Sequence, residues 1–162
     1  MMIIGIDPGY AIVGWGVVEY IKTRFKTVDY GAITTSPKLD FPSRLQMIYE
    51  KLFEILKTYR PSEMAIEKLF FSQNKTTGID VAQARGAILL CAKQNNLSIN
   101  EYTPIQVKQS VVGYGRAEKR QVMDMTKRLL RLEKIPRPDD TADALAIAIA
   151  HAHSCSSRLM KL

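Results

Sequence analysis

The amino-acid sequence predicts an α/β fold in which helices cover the faces of a mixed β-sheet. Three strand-like segments come first, at residues 3–6, 12–20 and 25–34, and their closeness along the chain predicts an antiparallel meander. Helix-like and strand-like segments then alternate, which is the order expected for helices packed on a sheet. The length of 162 residues fits one domain, expected over residues 1–155 with a short tail at 156–162.

The later elements are marked by apolar spacing and by proline. Apolar residues at helical spacing predict the first helix, which Pro61 ends because proline lacks a backbone donor. Pro104 is suited to open another helix, because the first turn leaves its N–H groups unpaired. The expected elements are helices over 43–59, 77–95, 118–132 and 140–153, strands over 63–67 and 98–103, a short helix from Pro104 and a loop over 113–116.

The charge balance favours a polyanionic partner. The chain has 23 Lys and Arg against 16 Asp and Glu, which gives a net charge of +7 and a pI near 9.5. Basic residues that neutralise phosphates release counterions, so nucleic acid is a natural ligand for such a surplus. A generic basic surface explains the same charge equally well.

The sulfur and imidazole residues give no metal-binding pattern. Cys91 and Cys155 have neither disulfide nor metal spacing, and a buried thiol is expected at Cys91. The spacing of His151 and His153 does not supply a third metal-ligating residue, and both histidines are expected at the surface or at a helix end. With no signal peptide and no apolar stretch of membrane length, the sequence predicts a cytoplasmic protein.

Two acids follow short apolar strands. Asp7 comes after the first strand and Glu67 after the fourth, at the carboxyl ends where open α/β sheets place ligands. A desolvated acid is costly unless a cation or water compensates it, so ligand binding explains both positions. Taken singly, Asp7 also fits an Asp-Pro-Gly turn and Glu67 an exposed strand end.

Two more acids open the last helix. Asp140 and Asp143 are three residues apart and therefore share a face. A helix cap is an alternative role for an acid here, and Asp139 is the better candidate for it. The helix beyond Asp143 is apolar almost all round, which predicts burial and makes a merely solvated acid unusual at this point.

The four carboxylates together fit a metal-dependent phosphodiesterase. Hard oxygen ligands suit Mg²⁺, with Mn²⁺ able to substitute. Two such ions, about 3.5–4 Å apart, can activate water and stabilise the leaving oxygen of an in-line displacement. We therefore expect a site with two ions, although the sequence does not show that the acids are close in space.

Several motifs occur in order along nearly the whole chain. They are Ile4-Gly5-Ile6-Asp7-Pro8-Gly9 with Gly14 and Gly16, Ala65-Ile66-Glu67 followed by Phe70, Ala82-Gln83-Ala84-Arg85-Gly86, Val107-Lys108-Gln109 with Val111-Val112-Gly113, and Asp140-Thr141-Ala142-Asp143-Ala144-Leu145-Ala146. This ordered set closely resembles the RuvC family of Holliday junction resolvases.

The resemblance implies an RNase H-like fold, in which helices flank a five-stranded mixed sheet with three antiparallel strands first. It implies a homodimer that resolves four-way DNA junctions in recombination and repair, by paired nicks that leave 5′-phosphate and 3′-hydroxyl ends. It also implies a partner complex for branch migration, of the RuvA and RuvB type. Asp7, Glu67, Asp140 and Asp143 match the family's catalytic, metal-binding acids, and Asp140 stands where some relatives have histidine.

Basic residues gather between Pro104 and Pro138, and a solvated helix face explains part of this charge. Lys108, Arg116 and Lys119 flank the glycine-rich loop and are better candidates for phosphate contact. By resemblance, Lys108 and Lys119 match lysines needed for cleavage, which neutralisation of charge on the scissile phosphate would explain. The expected DNA-binding residues are Phe70, Lys75, Arg85, Lys108, Arg116, Lys119 and Arg120.

Phe70 and Phe71 follow Glu67 ahead of a polar, turn-prone segment. An exposed aromatic ring can stack on an unpaired base, which is worth about 1–3 kcal/mol per base. By resemblance Phe70 has this role near the junction centre, whereas Phe71 is expected to close the core.

Small residues such as Gly86 in the helix over 77–95 allow another helix to approach closely. The resemblance places the dimer interface there, and packing within one chain is the alternative.

Two other functions are weighed against the nuclease. An Asp-x-Gly opening such as Asp7-Pro8-Gly9 is also used by actin-like ATPases, but these need two duplicated domains, and this chain is short and without repeats. A module that binds branched DNA without cutting it has no need of four acids. The sequence therefore favours the nuclease.

Overall fold

The computed structural model describes residues 1–69 and 75–159, with the side chains of 1–69 and 77–156. In chain order the elements are β1 (Met2–Asp7), β2 (Ile12–Ile21), β3 (Arg24–Thr34), α1 (Phe41–Tyr59), β4 (Glu63–Glu67), α2 (Lys75–Gln94), β5 (Ser98–Tyr102), α3 (Pro104–Val112), α4 (Lys119–Leu129) and α5 (Asp139–Leu159).

The five strands form one mixed sheet in the order β3-β2-β1-β4-β5. Strands β1, β2 and β3 pair antiparallel, whereas β4 pairs parallel with both β1 and β5. The predicted five-stranded mixed sheet, with its antiparallel meander first, is thus confirmed. Because β1 and β4 run parallel, their carboxyl ends lie at the same edge of the sheet.

The alternation of side chains along the strands builds a core on each face. Ile4 and Ile6 of β1 pack with α1 and α2, whereas Ile3 packs with α3, α4 and α5. Helix α5 carries a nearly continuous buried apolar segment from Ala144 to Ala150, as its sequence predicts. Both faces are therefore covered by helices, and the acids stand where the sheet and α5 meet.

Glycine allows α5 to lie directly on β1 and β2. A Cβ atom at Gly5 would stand 2.0 Å from the carbonyl oxygen of Ala144, and one at Gly14 would stand 2.0 Å from that of Asp140. At Gly16 it would be 2.5 Å from the side chain of Leu145. Any larger residue would push the helix outward, so these glycines set the depth at which α5 presents its acids.

Helix boundaries differ from the predictions where local caps decide them. Helix α1 begins at Phe41, because the Asp40 side chain accepts the hydrogen bond of the Ser43 amide. Helix α4 ends at Leu129, and Arg131 adopts the left-handed conformation just beyond it. Helix α5 continues to Leu159, past the predicted end at 153 and into the segment expected as a tail.

His151 departs from its predicted surface position. Its side chain is 2% exposed, and Nδ1 lies 2.8 Å from the hydroxyl of Tyr102. The carboxylate of Glu63 lies 3.6 Å from Nε2. A buried polar network therefore accommodates this histidine, which the apolar sequence around it did not reveal.

Among the described residues, no helix combines the length and apolarity that a membrane crossing needs.

Candidate active site

Asp7, the last residue of β1, is half-buried at the edge of the sheet. Burial, together with the charges of Glu67, Asp143 and Asp140, raises the pKa of its carboxyl from 3.8 to about 8. A hydrogen bond joins Asp7 to Glu67. In the absence of a cation, Asp7 is therefore the acid that keeps a proton near neutral pH, and it donates that proton to Glu67.

Glu67 ends β4, directly beside β1. The register pairs Ile6 with Ile66, so the two acids follow adjacent positions at the same sheet edge. Burial raises the pKa of Glu67, and the charge of Asp143 raises it as well; the hydrogen bond from Asp7 and the charge of Lys119 lower it. The two strand-end acids, which the sequence alone does not show to be close in space, are thus neighbours in the structure.

Helix α5 brings the other two acids to this edge. The carboxylate of Asp143 lies 2.9 Å from the ammonium group of Lys119, and burial raises the pKa of Asp143 against the effect of that pair. Asp140 lies one turn earlier, and its charge acts on both Asp7 and Asp143. Strands β1 and β4 and helix α5 therefore bring their acids to one edge of the sheet, an arrangement that the sequence analysis inferred from the four carboxylates without evidence of their proximity.

Lys119, at the start of α4, is the cation of this cluster. It contacts Asp143 and lies 3.6 Å from Asp139, and the charges of these acids and of Asp7 raise its pKa, although burial opposes the rise. Asp139 also pairs with Arg137. Sequence reasoning treated Asp139 as a cap and missed this contact with Lys119; its position beside Asp140 was the available signal.

The donor set fits a hard divalent cation. All four acids offer oxygen, and their mutual repulsion is what a bound cation would relieve. Within the described residues, no three His, Cys, Asp or Glu side chains already converge on a single point for a metal ion. In this arrangement Asp7 is hydrogen-bonded to Glu67, and Lys119 pairs with Asp143.

A cleft of about 260 Å³ opens beside the acids, between α3, α4 and α5. Glu67, Asp143, Lys108 and Lys119 line its polar part. The apolar wall consists of Pro104, Val107, Val122, Ala146 and Ile147. The two lysines that were singled out from the sequence thus share one cleft with two of the acids.

The other predicted DNA-binding residues divide into three groups. Arg116 and Arg120 are exposed near the cleft, at the loop before α4 and at its start. The side chain of Arg85 is only 14% exposed and contacts Glu101, which favours a role inside the protein. Phe70 and Phe71 lie outside the described residues, as does the side chain of Lys75, so their roles stay predictions.

Helix α2 presents an apolar face to solvent. Ile79 is 57% exposed and Leu90 55% exposed, and no atom of the described residues lies within 4 Å of a Cβ atom placed at Gly86. These positions share one side of the helix by their spacing. This face belongs to the helix on which the sequence placed the dimer interface.

The sheet topology and the acids at its edge define the class of protein: a metal-dependent nuclease of RNase H-like fold. The family model "Crossover junction endodeoxyribonuclease RuvC" matches residues 3–151. The chain belongs to this family, so the resemblance seen in the sequence is confirmed. Membership sets aside both the nucleotide-hydrolysing alternative and the module that binds without cutting.

Individual relatives agree over nearly the whole chain. The crossover junction endodeoxyribonuclease RuvC of Alkaliphilus metalliredigens is 56% identical over 154 residues, which cover 95% of this chain and 94% of the relative. That of Clostridioides difficile is 53% identical and covers 95% and 91%. The structure of Thermus thermophilus RuvC superposes with a TM-score of 0.90 at 34% identity, covering 98% of this chain and 97% of that one. The T. thermophilus RuvC in complex with Holliday junction substrate gives 0.89 at 32% identity, covering 97% and 96%.

Proposed function

We propose that this chain resolves four-way DNA junctions by paired nicks that leave 5′-phosphate and 3′-hydroxyl ends, with Asp7, Glu67, Asp140 and Asp143 as ligands of Mg²⁺. The observation that carries this proposal is the convergence of the four acids beside Lys119, with the pKa of Asp7 raised to about 8. Such a cluster is unfavourable without a cation and becomes favourable with one.

The acids have to change partners before they can bind metal. Asp7 gives up its proton, and Asp143 gives up the ammonium group of Lys119. Two Mg²⁺ ions, or Mn²⁺ in their place, would then supply an activated water and stabilise the leaving oxygen. Once released, Lys119 can turn toward the scissile phosphate with Lys108, and the two lysines neutralise charge that develops there.

DNA binding is supported by the basic surface beside this cleft. Arg116 and Arg120 extend the positive charge of Lys108 and Lys119 outward, and such contacts position the phosphate backbone. A solved T. thermophilus relative binds Holliday junction substrate, which supports the same substrate here. We assign base stacking to Phe70 and a further phosphate contact to Lys75 on the grounds of the sequence alone.

A homodimer is supported by the exposed face of α2, with Ile79, Gly86 and Leu90 on one side of the helix. Apolar groups covered by a second copy would be removed from water, and a C2 dimer matches the pseudo-twofold symmetry of a four-way junction. Two sites in one dimer would nick two opposed strands. We include in the proposal action in the cytoplasm with a branch-migration complex of the RuvA and RuvB type, which membership of the family supports.

The decisive experiment compares wild type with Glu67→Gln on a synthetic four-way junction and on a linear duplex, with Mg²⁺ and with EDTA. Glu54→Gln, on the exposed face of α1, is the matched control. We expect wild type and the control to nick only the junction and only with Mg²⁺, whereas Glu67→Gln binds the junction without cutting it. Undiminished cleavage by Glu67→Gln would refute the assignment of the site.

A further inference from the structure

Arg85 lies on the inner side of α2, next to the end of β4. Its Nε atom donates a hydrogen bond to the carbonyl oxygen of Glu67 at 3.3 Å. Its Nη2 atom lies 3.1 Å from Oε1 of Glu101, a residue of β5. One side chain thus joins a helix to the last residue of one strand and to the strand beside it.

The guanidinium group of Arg85 is largely buried and is directed into the protein rather than toward solvent. The side chain is 14% exposed, and Nη2 is fully buried without a well-aligned hydrogen bond among the described residues. A buried arginine stays charged and requires compensation, which the Glu101 carboxylate supplies. A guanidinium that is already neutralised inside the protein offers little to a DNA phosphate.

The contact falls at the point where Glu67 leaves the sheet. The ladder between β4 and β5 ends at the pair Glu67 and Tyr102, and the Lys68 amide donates to the Tyr102 carbonyl. The carbonyl oxygen of Glu67 is bound by Arg85. The peptide that follows Glu67 is therefore fixed from two sides, and the direction of the Glu67 side chain depends on it.

We propose that Arg85 is a positioning residue, which fixes the backbone of Glu67 through its carbonyl oxygen and is itself held in place by Glu101. The proposal rests on the function proposed above and replaces the DNA-binding role expected for Arg85 from the sequence. Glu67 has to hold its carboxylate against Asp7 and beside Lys119, and a displacement of about 1 Å at such a site can cost 100-fold in rate.

The test uses Arg85→Gln, Arg85→Lys, Glu101→Gln and the double variant Arg85→Gln with Glu101→Gln. Lys93→Gln, exposed near the end of the same helix, is the charge-matched control. Junction affinity is measured in EDTA over a series of salt concentrations. The single-turnover rate is then measured in Mg²⁺ at saturating protein, which separates the chemical step from binding.

Arg85→Gln should lower the rate at saturating protein by about 10- to 100-fold, with a Kd and a salt dependence equal to those of Lys93→Gln. Arg85→Lys should recover only part of the rate, because an ammonium group cannot bridge two acceptors as the planar guanidinium does. Glu101→Gln should lower the rate in the same direction, and the double variant should be no slower than Arg85→Gln. Such non-additivity indicates that the two residues act as one unit.

A weaker Kd for Arg85→Gln, a salt slope reduced by about one and a normal rate at saturating protein would show a phosphate contact and overturn the proposal. Additive effects of the two substitutions would overturn it as well. If Arg85→Gln does not fold, Glu101→Gln decides alone, and a wild-type rate for that variant would refute the positioning role. Wild type and Glu67→Gln in the same series show separately whether the proposed nuclease function holds.

Discussion

Asp7→Asn should stabilise the protein when no metal is present. The substitution replaces a carboxyl whose pKa is raised to about 8 by an amide that is neutral at every pH and can still donate to Glu67. In the unfolded chain the same carboxyl ionises near its ordinary value of 3.8. The folded state therefore binds more protons than the unfolded state between these two values, and the stability of wild type falls as pH rises through this window.

The size of the effect follows from the two pKa values. Each pH unit between them costs the folded state about 1.4 kcal/mol, so the interval from 3.8 to pH 7 corresponds to about 4 kcal/mol. Between pH 5 and pH 7 wild type should lose about 3 kcal/mol on this account. The raised pKa values of Glu67 and Asp143 act with the same sign. We expect Asp7→Asn to be about 2–4 kcal/mol more stable than wild type at pH 7 in EDTA.

The assay is urea unfolding in EDTA at pH 5, 6, 7 and 8, followed by the fluorescence of Trp15, the chain's one tryptophan. Asp124→Asn makes the same chemical change on α4, away from the acidic cluster, and should follow wild type. Millimolar Mg²⁺ should stabilise wild type and have little effect on Asp7→Asn, because ligand binding to the folded state adds to its stability. A flat pH profile for wild type, or a less stable Asp7→Asn at pH 7, would refute the reasoning.

Further predictions follow from the packing and the charges. Gly14→Ala should cost roughly 1–3 kcal/mol in unfolding free energy and also lose cleavage, because the added carbon meets the carbonyl oxygen of Asp140 at the start of α5; a wild-type rate would contradict this. Lys119→Met should bind Mg²⁺ more tightly in calorimetry without DNA, since no ammonium group competes for Asp143, yet it should cleave more slowly. Leu90→Glu should shift the mass in sedimentation from dimer to monomer, since it places charge on the exposed face of α2. Junction affinity should fall steeply with salt, and a flat profile would place the basic surface elsewhere.

Local sequence patterns predicted most of the elements of this fold. The runs at β1 and β4 are short and apolar, and each delivers an acid at its end, so strand, acid and sheet edge could be inferred together. The apolar sequence of α5 predicted its burial correctly. The proximity of Asp7 to Glu67 depends on the parallel pairing of β1 with β4, which no local pattern in the sequence indicates.

The failures of sequence reasoning concern long-range contacts. Arg85 was expected among the DNA-binding residues, a role that stays a prediction, but its contact with Glu101 was missed because Glu101 is distant in the sequence and no local pattern indicates it. His151 was expected at the surface or at a helix end, whereas Tyr102 and Glu63 lie beside it in the folded chain. Asp139 was explained as a cap because helix starts favour acids, but its partner Lys119 comes from α4. In each case the missing information is which residue lies opposite.

The charge distribution links metal binding to substrate binding. The chain carries a net charge of +7, yet four acids lie at the sheet edge beside the cleft, and burial together with their mutual repulsion raises the pKa of Asp7 to about 8. A phosphate approaching this cleft is attracted by Lys108 and Lys119 and repelled by the acids beside them. Under the proposed function, DNA without a divalent cation would therefore bind the basic surface while its phosphate is kept away from Glu67 and Asp143. The phosphate would approach these acids only once bound divalent cations had neutralised their charge.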